Sequence, residues 1–293
     1  MNVLDQTVTD KWAIYNVDCV ELAKEIPDNS IDFTIYSPPF ESLFTYSNSD
    51  RDFGNSKSTG EFQQHYSYLI ADSFRMMRPG RLVAVHCMNL TTSKANDGFI
   101  GLRDFRGDII RAHQKAGFIY HSEVCIWKCP VTAMTRTKAL GLLHKTIKKD
   151  SSMSRQGLAD YLVVFRKPGQ NEKFISHTAE EFPVQMWQKY ASPVWFDIDQ
   201  SRTLNFRGAR EEDDVKHICP LQLDVIERAM TLWTAPDDLV FSPFTGVGSE
   251  GYTAVSMGRR FIGSELKPSY YAQALKNMFD AESKNGYLFG GAA

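Results

Sequence analysis

The stretch LVFSPFTGVGSEGYTAVSMGRRFIGSEL, residues 239–266, limits the fold more than any other. A short apolar run, 239–241, breaks into a turn holding Gly246 and Gly248. A helix is predicted from Ser249, and a second apolar run ends at Glu265. Strand, glycine turn, helix, strand is a βαβ unit, which requires parallel strands. The glycines let a ligand approach the backbone, and the helix N-terminus offers free N–H groups. An acid about twenty residues beyond such a turn is placed to accept hydrogen bonds from ribose hydroxyls. A nucleoside-containing cofactor is therefore expected. The chain has no G-x-x-x-x-G-K-[ST], which argues against a nucleotide triphosphatase. Glu250 at the helix start would repel a pyrophosphate but suits a cationic ligand, a sulfonium or an ammonium. S-adenosylmethionine carries both.

The rest of the sequence agrees with an α/β class. In the first third, KWAIYNVD reads as a strand, CVELAKEIP as a helix closed by Pro27, and SIDFTIYS as a strand. A polar loop runs from about Glu41 to Gly60. A helix with apolar residues at Phe62, Tyr66, Leu69, Phe74 and Met77 follows, stopped by Pro79-Gly80. RLVAVHCM, GDIIRAHQKAG and YHSEVCIWKC continue the alternation. From about Pro130 to Lys216 the pattern turns irregular, with LADYLVVFRKP its clear strand, which suggests an insertion. The aromatics Trp187, Tyr190, Trp195 and Phe196 in that segment are expected to form its core. The α/β pattern then returns through CPLQLDVIERAMTLWT, the glycine unit and KPSYYAQALKNMF.

With 43% apolar and 23% charged residues, the composition is that of a soluble globule, and no apolar run reaches 18 residues. The opening MNVLDQTVTDKW has no apolar h-region, and five scattered cysteines suit reduced thiols. Neither a membrane span nor a metal site is expected, and a soluble intracellular protein is. The net charge of −2 gives no global sign of a polyanionic partner, but TRTKALGLLHKTIKK, residues 135–149, carries five Lys/Arg and no acid. That local block admits a nucleic-acid contact.

The second informative stretch is IDFTIYSPPF, residues 31–40. A strand stops at a serine, two prolines and an aromatic ring. Pro38 and Pro39 donate no backbone hydrogen bond and hold φ near −65°, so the chain makes a stiff elbow. The elbow presents a hydroxyl and a rigid carbonyl at one place.

Here the motifs carry a resemblance. SPPF (Ser37–Phe40) resembles the [D/N/S]-P-P-[Y/F] motif of DNA amino-methyltransferases, which methylate adenine N6 or cytosine N4. FSPFTGVGSEG resembles their motif D-P-F-x-G-x-G-T, with Ser242 at the first acidic position. RRFIGSELKPSYYAQA, HICPLQLDVIERAM and NVDCVELAKEIPDNSIDF resemble three further motifs. Catalytic motif first and cofactor motif last is the permuted, β-type order, as in phage-type and orphan members. The resemblance implies a Rossmann-like, seven-stranded, mostly parallel methyltransferase sheet with an inserted target-recognition region. It divides the chain into a catalytic half (1–129), a target-recognition region (130–216) and a cofactor-binding half (217–293).

By matching motif, Ser37, Pro38, Pro39 and Phe40 are the implied catalytic residues. The implied cofactor contacts are Asp18, Cys19, His217, Pro220, Leu221, Phe244, Gly246, Gly248, Ser249, Glu250 and Glu265. The hydroxyl of Ser37 and the carbonyl of Pro38 would pull an aromatic amine toward sp³ geometry, while Phe40 stacks on a flipped-out base. Double-stranded DNA is the implied partner, and the implied location is the cytoplasm of a bacterial or phage-infected cell. Arg51 (with Tyr46 and Asn55 in a closing loop), Arg136, Lys138, His144, Lys145, Lys148, Lys149, Arg155 and Gln156 are the candidate contacts. Serine at the first motif position is commoner in cytosine-N4 members, while adenine enzymes dominate the permuted arrangement. Adenine N6 is narrowly preferred and cytosine N4 is the alternative. A methyltransferase of RNA or small amines, and a catalytically silent DNA-binding regulator of the same fold, remain as further readings. The absence of a nuclease signature suggests a stand-alone modification enzyme. By analogy with the family, a homodimer built on the apolar helix around 62–77 is a further expectation.

Overall fold

The computed structural model describes residues 3–39, 59–137, 144–153, 155–205, 209 and 220–289. Its first half comprises β1 (Asp5–Val8), β2 (Trp12–Asn16), α1 (Cys19–Glu25), β3 (Ile31–Tyr36), α2 (Thr59–Met76) and β4 (Met77–Cys87). A small hairpin, β5 (Leu90–Thr92) and β6 (Gly101–Arg103), encloses α3 (Lys94–Asp97), and α4 (Phe105–Lys115) leads to β7 (Ile119–Ile126). Then come α5 (Pro130–Thr137), α6 (His144–Ile147), β8 (Asp160–Arg166), α7 (Val184–Tyr190) and β9 (Val194–Trp195). The chain closes with α8 (Leu223–Trp233), β10 (Leu239–Ser242), α9 (Ser249–Ser256), β11 (Arg260–Ser264) and α10 (Pro268–Phe289).

The main sheet has nine strands in the order β1-β2-β11-β10-β3-β4-β8-β7-β9. The expectation of seven therefore needs correction at the edges. The inner seven run from β2 to β7, while β1 folds back antiparallel on β2 and the two-residue β9 lies parallel beside β7. Strands β2, β11, β10, β3 and β4 are mutually parallel, whereas β8 is antiparallel to both neighbours. Strand β8, from the irregular 130–216 stretch, thus sits inside the main sheet, a long-range pairing that local pattern does not reveal.

Burial on both faces explains the apolar strands: every residue of β3 is buried. Phe33 and Ile35 join one core cluster with Leu162 and with residues of α8, α9 and α10. Ile31 and Tyr36 join the other, with Val163 and Phe165 and with residues of α1, α2 and α4. The helical periodicity of α2 is real, but the helix ends at Met76 and Pro79-Gly80 lie within β4. Phe62, Tyr66 and Leu69 are buried against the molecule's own sheet. The apolar face proposed for dimerisation is therefore already occupied. In the 130–216 segment Trp195 is core as expected, whereas Trp187 and Phe196 are exposed.

The connections from β10 and β3 leave in opposite directions. Strand β10 leads through α9 to β11 on one side, and β3 leads through α2 to β4 on the other. A crevice opens outside the carboxyl ends of strands at such a switch point. The amino ends of the same strands are pinned by a buried ion cluster. Arg81 Nε donates to Asp32 O at 2.9 Å, its Nη2 reaches Asp238 and Asp32, and Leu239 N donates to Asp32 Oδ2 at 2.9 Å.

Candidate functional site

The parallel register Val240↔Phe33 and Phe241↔Thr34, continued past the strand ends, brings the Ser242–Phe244 turn beside Tyr36 and Ser37. The rings of Tyr36 and Phe244 meet at 5.7 Å. The serine–proline elbow and the glycine turn thus share one edge of the sheet.

On the glycine side, Glu265 closes the turn: its Oε2 accepts from Gly246 N at 2.8 Å and its Oε1 from Lys267 N at 2.9 Å. Asn16 Nδ2 donates to the Glu265 carbonyl at 2.6 Å, which ties β2 to the same corner. A carboxylate oxygen accepts more than one hydrogen bond, so a ligand hydroxyl can share this group with the backbone. Gly246 has φ +56° and nothing within 4 Å of where a side chain would start, so the space above the turn is open. Gly248 is the N-cap of α9. A Cβ on Gly251 would meet Met278 Sδ at 2.7 Å and Phe261 at 2.8 Å. Gly251 is therefore the tight-packing third glycine of a G-x-G-x-x-G turn, a role the sequence reading did not assign. The buried hydroxyls of Ser242 and Ser249, at either end of the turn, have no hydrogen-bond partner among the described residues.

Three features on this side bear on the implied cofactor contacts. Glu250 is buried, and burial, with Glu265 nearby, pushes its carboxyl up to about 8, so without a cation beside it the group is neutral at pH 7. Asp18 caps α1, its Oδ1 accepting from Val20 N at 2.8 Å, which leaves Oδ2 for other work. Cys19 and Leu221 are buried and pack in the two core clusters, while Pro220 is half-buried. Phe40, Arg51, Lys138 and His217, with Tyr46 and Asn55, lie outside the described residues, as do the side chains of Arg136 and Lys145.

On the elbow side the structure assembles a chain of groups that no sequence spacing announces. Ser37 Oγ lies 2.9 Å from His86 Nδ1. His86 Nε2 lies 3.0 Å from Asp160 Oδ2, and Lys128 Nζ approaches the same oxygen at 2.8 Å. His86, Lys128 and Asp160 are at most 9% exposed. Burial pushes the Asp160 carboxyl up, but the hydrogen bonds and charges of His86 and Lys128 outweigh it and hold the group at about 2. An ionised carboxylate only accepts, so His86 Nε2 carries the proton. Whenever the imidazole is neutral, Nδ1 is then an acceptor and Ser37 donates to it. The lone pairs of Ser37 Oγ are left for another donor.

These residues come together because strand ends do. His86 is the penultimate residue of β4, Lys128 follows β7, and antiparallel β8 starts with Asp160 at the same edge. The only sequence trace is a polar residue at the end of each of three apolar runs. Of the candidate DNA contacts, His144, Lys148 and Lys149 are exposed. Arg155 is half-buried; its Nη1 donates to Gln156 O at 3.0 Å, while the buried Nε and Nη2 have no partner among the described residues. No helix among the described residues is long and apolar enough to cross a membrane, and no three described His, Cys, Asp or Glu cluster as metal ligands.

Residues 31–276 match the family model described as DNA methylase. A similar curated relative is the type II methyltransferase M.BglII of Bacillus subtilis, 23% identical over 272 residues, covering 88% of this chain. The chain spans 66% of that relative's length. Among solved structures, TTHA0409 of Thermus thermophilus, complexed with S-adenosyl-L-methionine, superposes with a TM-score of 0.70 at 20% identity over 93% of this chain and 94% of that one. The cytosine-N4-specific PvuII DNA methyltransferase gives 0.66 at 17% identity over 97% and 96%.

Proposed function

This chain belongs to the DNA methylase family, and on that premise we propose that it methylates the exocyclic N4 amine of a cytosine turned out of duplex DNA, with S-adenosylmethionine as donor. The observation that carries this reading is the chain from Ser37 Oγ at the switch point to His86 Nδ1 at 2.9 Å and from His86 Nε2 to Asp160 Oδ2 at 3.0 Å. The chain's own residues fit the donor. The open space over Gly246, the two partnerless serine hydroxyls and the Glu265 carboxylate at the turn suit a nucleoside with a polar tail. Glu265 would hold the ribose, and the Ser242–Ser249 turn the amino-acid end. When bound, the donor supplies an electrophilic methyl group.

The amine of a nucleobase is a poor nucleophile because its lone pair is delocalised into the ring. Ser37 Oγ and the Pro38 carbonyl, held apart by the proline elbow, accept its two N–H bonds and turn the lone pair out of the ring plane. As the nitrogen gains its methyl group it must shed a proton. That proton moves to Ser37 Oγ while the serine's own proton moves to His86 Nδ1, and Asp160 stabilises the imidazolium. Proton acceptance of this kind contributes about 10²–10⁴-fold. Cytosine is favoured over the adenine of the sequence reading because Ser37 works through a histidine instead of carrying charge itself, as suits the serine form of the motif. The cytosine-N4-specific neighbour, matched almost end to end, points the same way. Exposed Lys148 and Lys149 suit contacts to DNA phosphates.

The test incubates the chain with unmethylated duplex DNA and S-adenosylmethionine, then digests the DNA to nucleosides for mass spectrometry. N4-methyldeoxycytidine is the expected product, lost by at least about 100-fold in Ser37→Ala with donor affinity within a few fold. N6-methyldeoxyadenosine would overturn the base assignment. Donor binding without any methylated nucleoside would favour a silent regulator.

A further inference from the structure

We infer that Lys128 is a positioning residue: its ammonium group keeps His86 neutral between turnovers, so that the imidazole can receive the Ser37 proton, and thereby sets the lower pH limit of methyl transfer. This rests on the reading above, in which His86 is the proton acceptor.

The argument begins with charge. A lysine as buried as Lys128 needs a countercharge, and Asp160 supplies it. The same oxygen, Oδ2, also takes the His86 N–H. A carboxylate facing a histidine alone would favour the imidazolium form, making a neutral ion pair. With Lys128 on that oxygen the trio is already neutral, and a proton on His86 would add an unmatched positive charge in a closed site. Standing protonation matters because imidazolium donates from Nδ1. Ser37 would then accept from His86 and turn its own proton toward the incoming amine, donor against donor.

The surrounding groups do not supply this control. Ser37 on the β3 side has no charge. On β4, burial pushes the Cys87 thiol up, and on β7 it does the same to Cys125, so both stay protonated. Tyr161 on β8 is also pushed up by burial. Arg106 of α4 pairs with Glu123 of β7 at 2.9 Å and lies over the Tyr161 ring, and Asp104 faces Arg111 at 3.5 Å. Among the described residues, Lys128 is the cation placed directly on the relay. Its backbone is held as well: Trp127 N donates to Trp195 O of β9 at 3.1 Å, which gives the short edge strand a purpose.

Bonds of 2.8 and 3.0 Å to one oxygen keep Lys128 Nζ and His86 Nε2 less than about 6 Å apart. At an effective dielectric of about 20, removing that charge moves the protonation equilibrium by about two pH units. The experiment measures single-turnover methylation from about pH 5.5 to 9.5, with saturating DNA and S-adenosylmethionine, for the unmodified chain and Lys128→Met, Lys128→Gln and Lys128→Arg. The Met and Gln variants should lose activity at neutral pH and regain it in alkali, the acid limb having moved up by about two units. Arg should leave the limb in place. Glutamine keeps a hydrogen bond to Asp160 without the charge, so it covers the case in which Met does not fold. An unmoved or lowered limb in Gln, or activity absent at every pH with donor binding intact, overturns the inference. His86→Ala separates the two readings. Full activity in that variant would sink the relay itself, whereas an inactive His86→Ala beside an unshifted Lys128→Gln would sink only the role of Lys128.

Discussion

Asp160→Asn strikes the relay at the atom where it is most exposed to measurement. The Asp160 carboxyl is lowered from an ordinary 3.8 to about 2 in the folded chain. At about 1.36 kcal/mol per pH unit, that difference of about 1.8 corresponds to about 2.5 kcal/mol of folding stability at pH 7. The contribution is complete above about pH 4 and is lost as pH falls toward 2, because there the unfolded chain takes up the proton first. Asparagine removes it at every pH and leaves Lys128, 5% exposed at its side chain, without a countercharge. Urea unfolding at pH 7 should therefore show the variant less stable by about 2.5 kcal/mol or more, since orphaning a buried charge adds to the loss. The gap should narrow below pH 4, where the unmodified chain loses the same term. Catalysis should suffer separately. An amide NH₂ facing His86 Nε2 stabilises the tautomer with its proton on Nδ1, which removes the acceptor from Ser37. Single-turnover methylation should fall by about 10²–10⁴-fold, with donor affinity little changed. A stability loss under about 1 kcal/mol, or a gap that persists unchanged to pH 2.5, would refute the assigned electrostatics.

Three further outcomes follow from buried groups elsewhere. His113 stacks on Phe165 at 3.9 Å and donates from Nδ1 to Ile109 O, and burial pushes its imidazole down to about 3. Below pH 6.5 the unfolded chain binds a proton that the folded chain refuses, so stability should decline by up to about 4–5 kcal/mol between pH 6.5 and 3. In His113→Phe that slope should vanish from a urea titration series. Glu250, at about 8, should lose its proton when a cationic donor binds. Calorimetry in buffers of different ionisation enthalpy should register proton release at pH 7, absent in Glu250→Gln; equal release in both would exclude Glu250. Gly251→Ala places a methyl group 2.7 Å from Met278 Sδ and should cost about 1–3 kcal/mol in thermal or urea unfolding.

The parts of the molecule legible in its sequence are those governed by neighbours along the chain. The parallel strands are buried on both faces, so β3, β4, β10 and β11 read as apolar runs, and the glycine turn with Glu265 reads as a ligand corner. Burial is less legible at single positions. Glu250 reads as a carboxylate ready for a cation, yet packing around α9 makes it neutral at rest. The apolar face of α2 reads as available for a partner, yet the sheet already covers it. The relay was hidden for a different reason. Residues 37, 86, 128 and 160 have no common period, and only the register of β4 with β8, and of β8 with β7, brings the last three to one edge.

That register also explains why an antiparallel strand interrupts a parallel sheet. The strands β2, β11 and β10 on one side of the switch point carry the residues proposed to hold the donor, and β3, β4, β8 and β7 on the other carry the relay. A parallel strand brings its last residue to the carboxyl edge, whereas antiparallel β8 brings its first. Asp160 therefore reaches the edge as the chain enters the sheet, between His86 and Lys128, with Leu162 paired to His86 and Asp160 paired to Ile126. Side chains alternate between faces along a strand, so a slip of one residue in β8 would present Tyr161 where Asp160 now stands. Leu162 on one face, with Val163 and Phe165 on the other, resists that slip because all three would exchange their core clusters. The apolar pattern of β8 thus sets both the strand's place and the position of the one carboxylate on which the proposed chemistry turns.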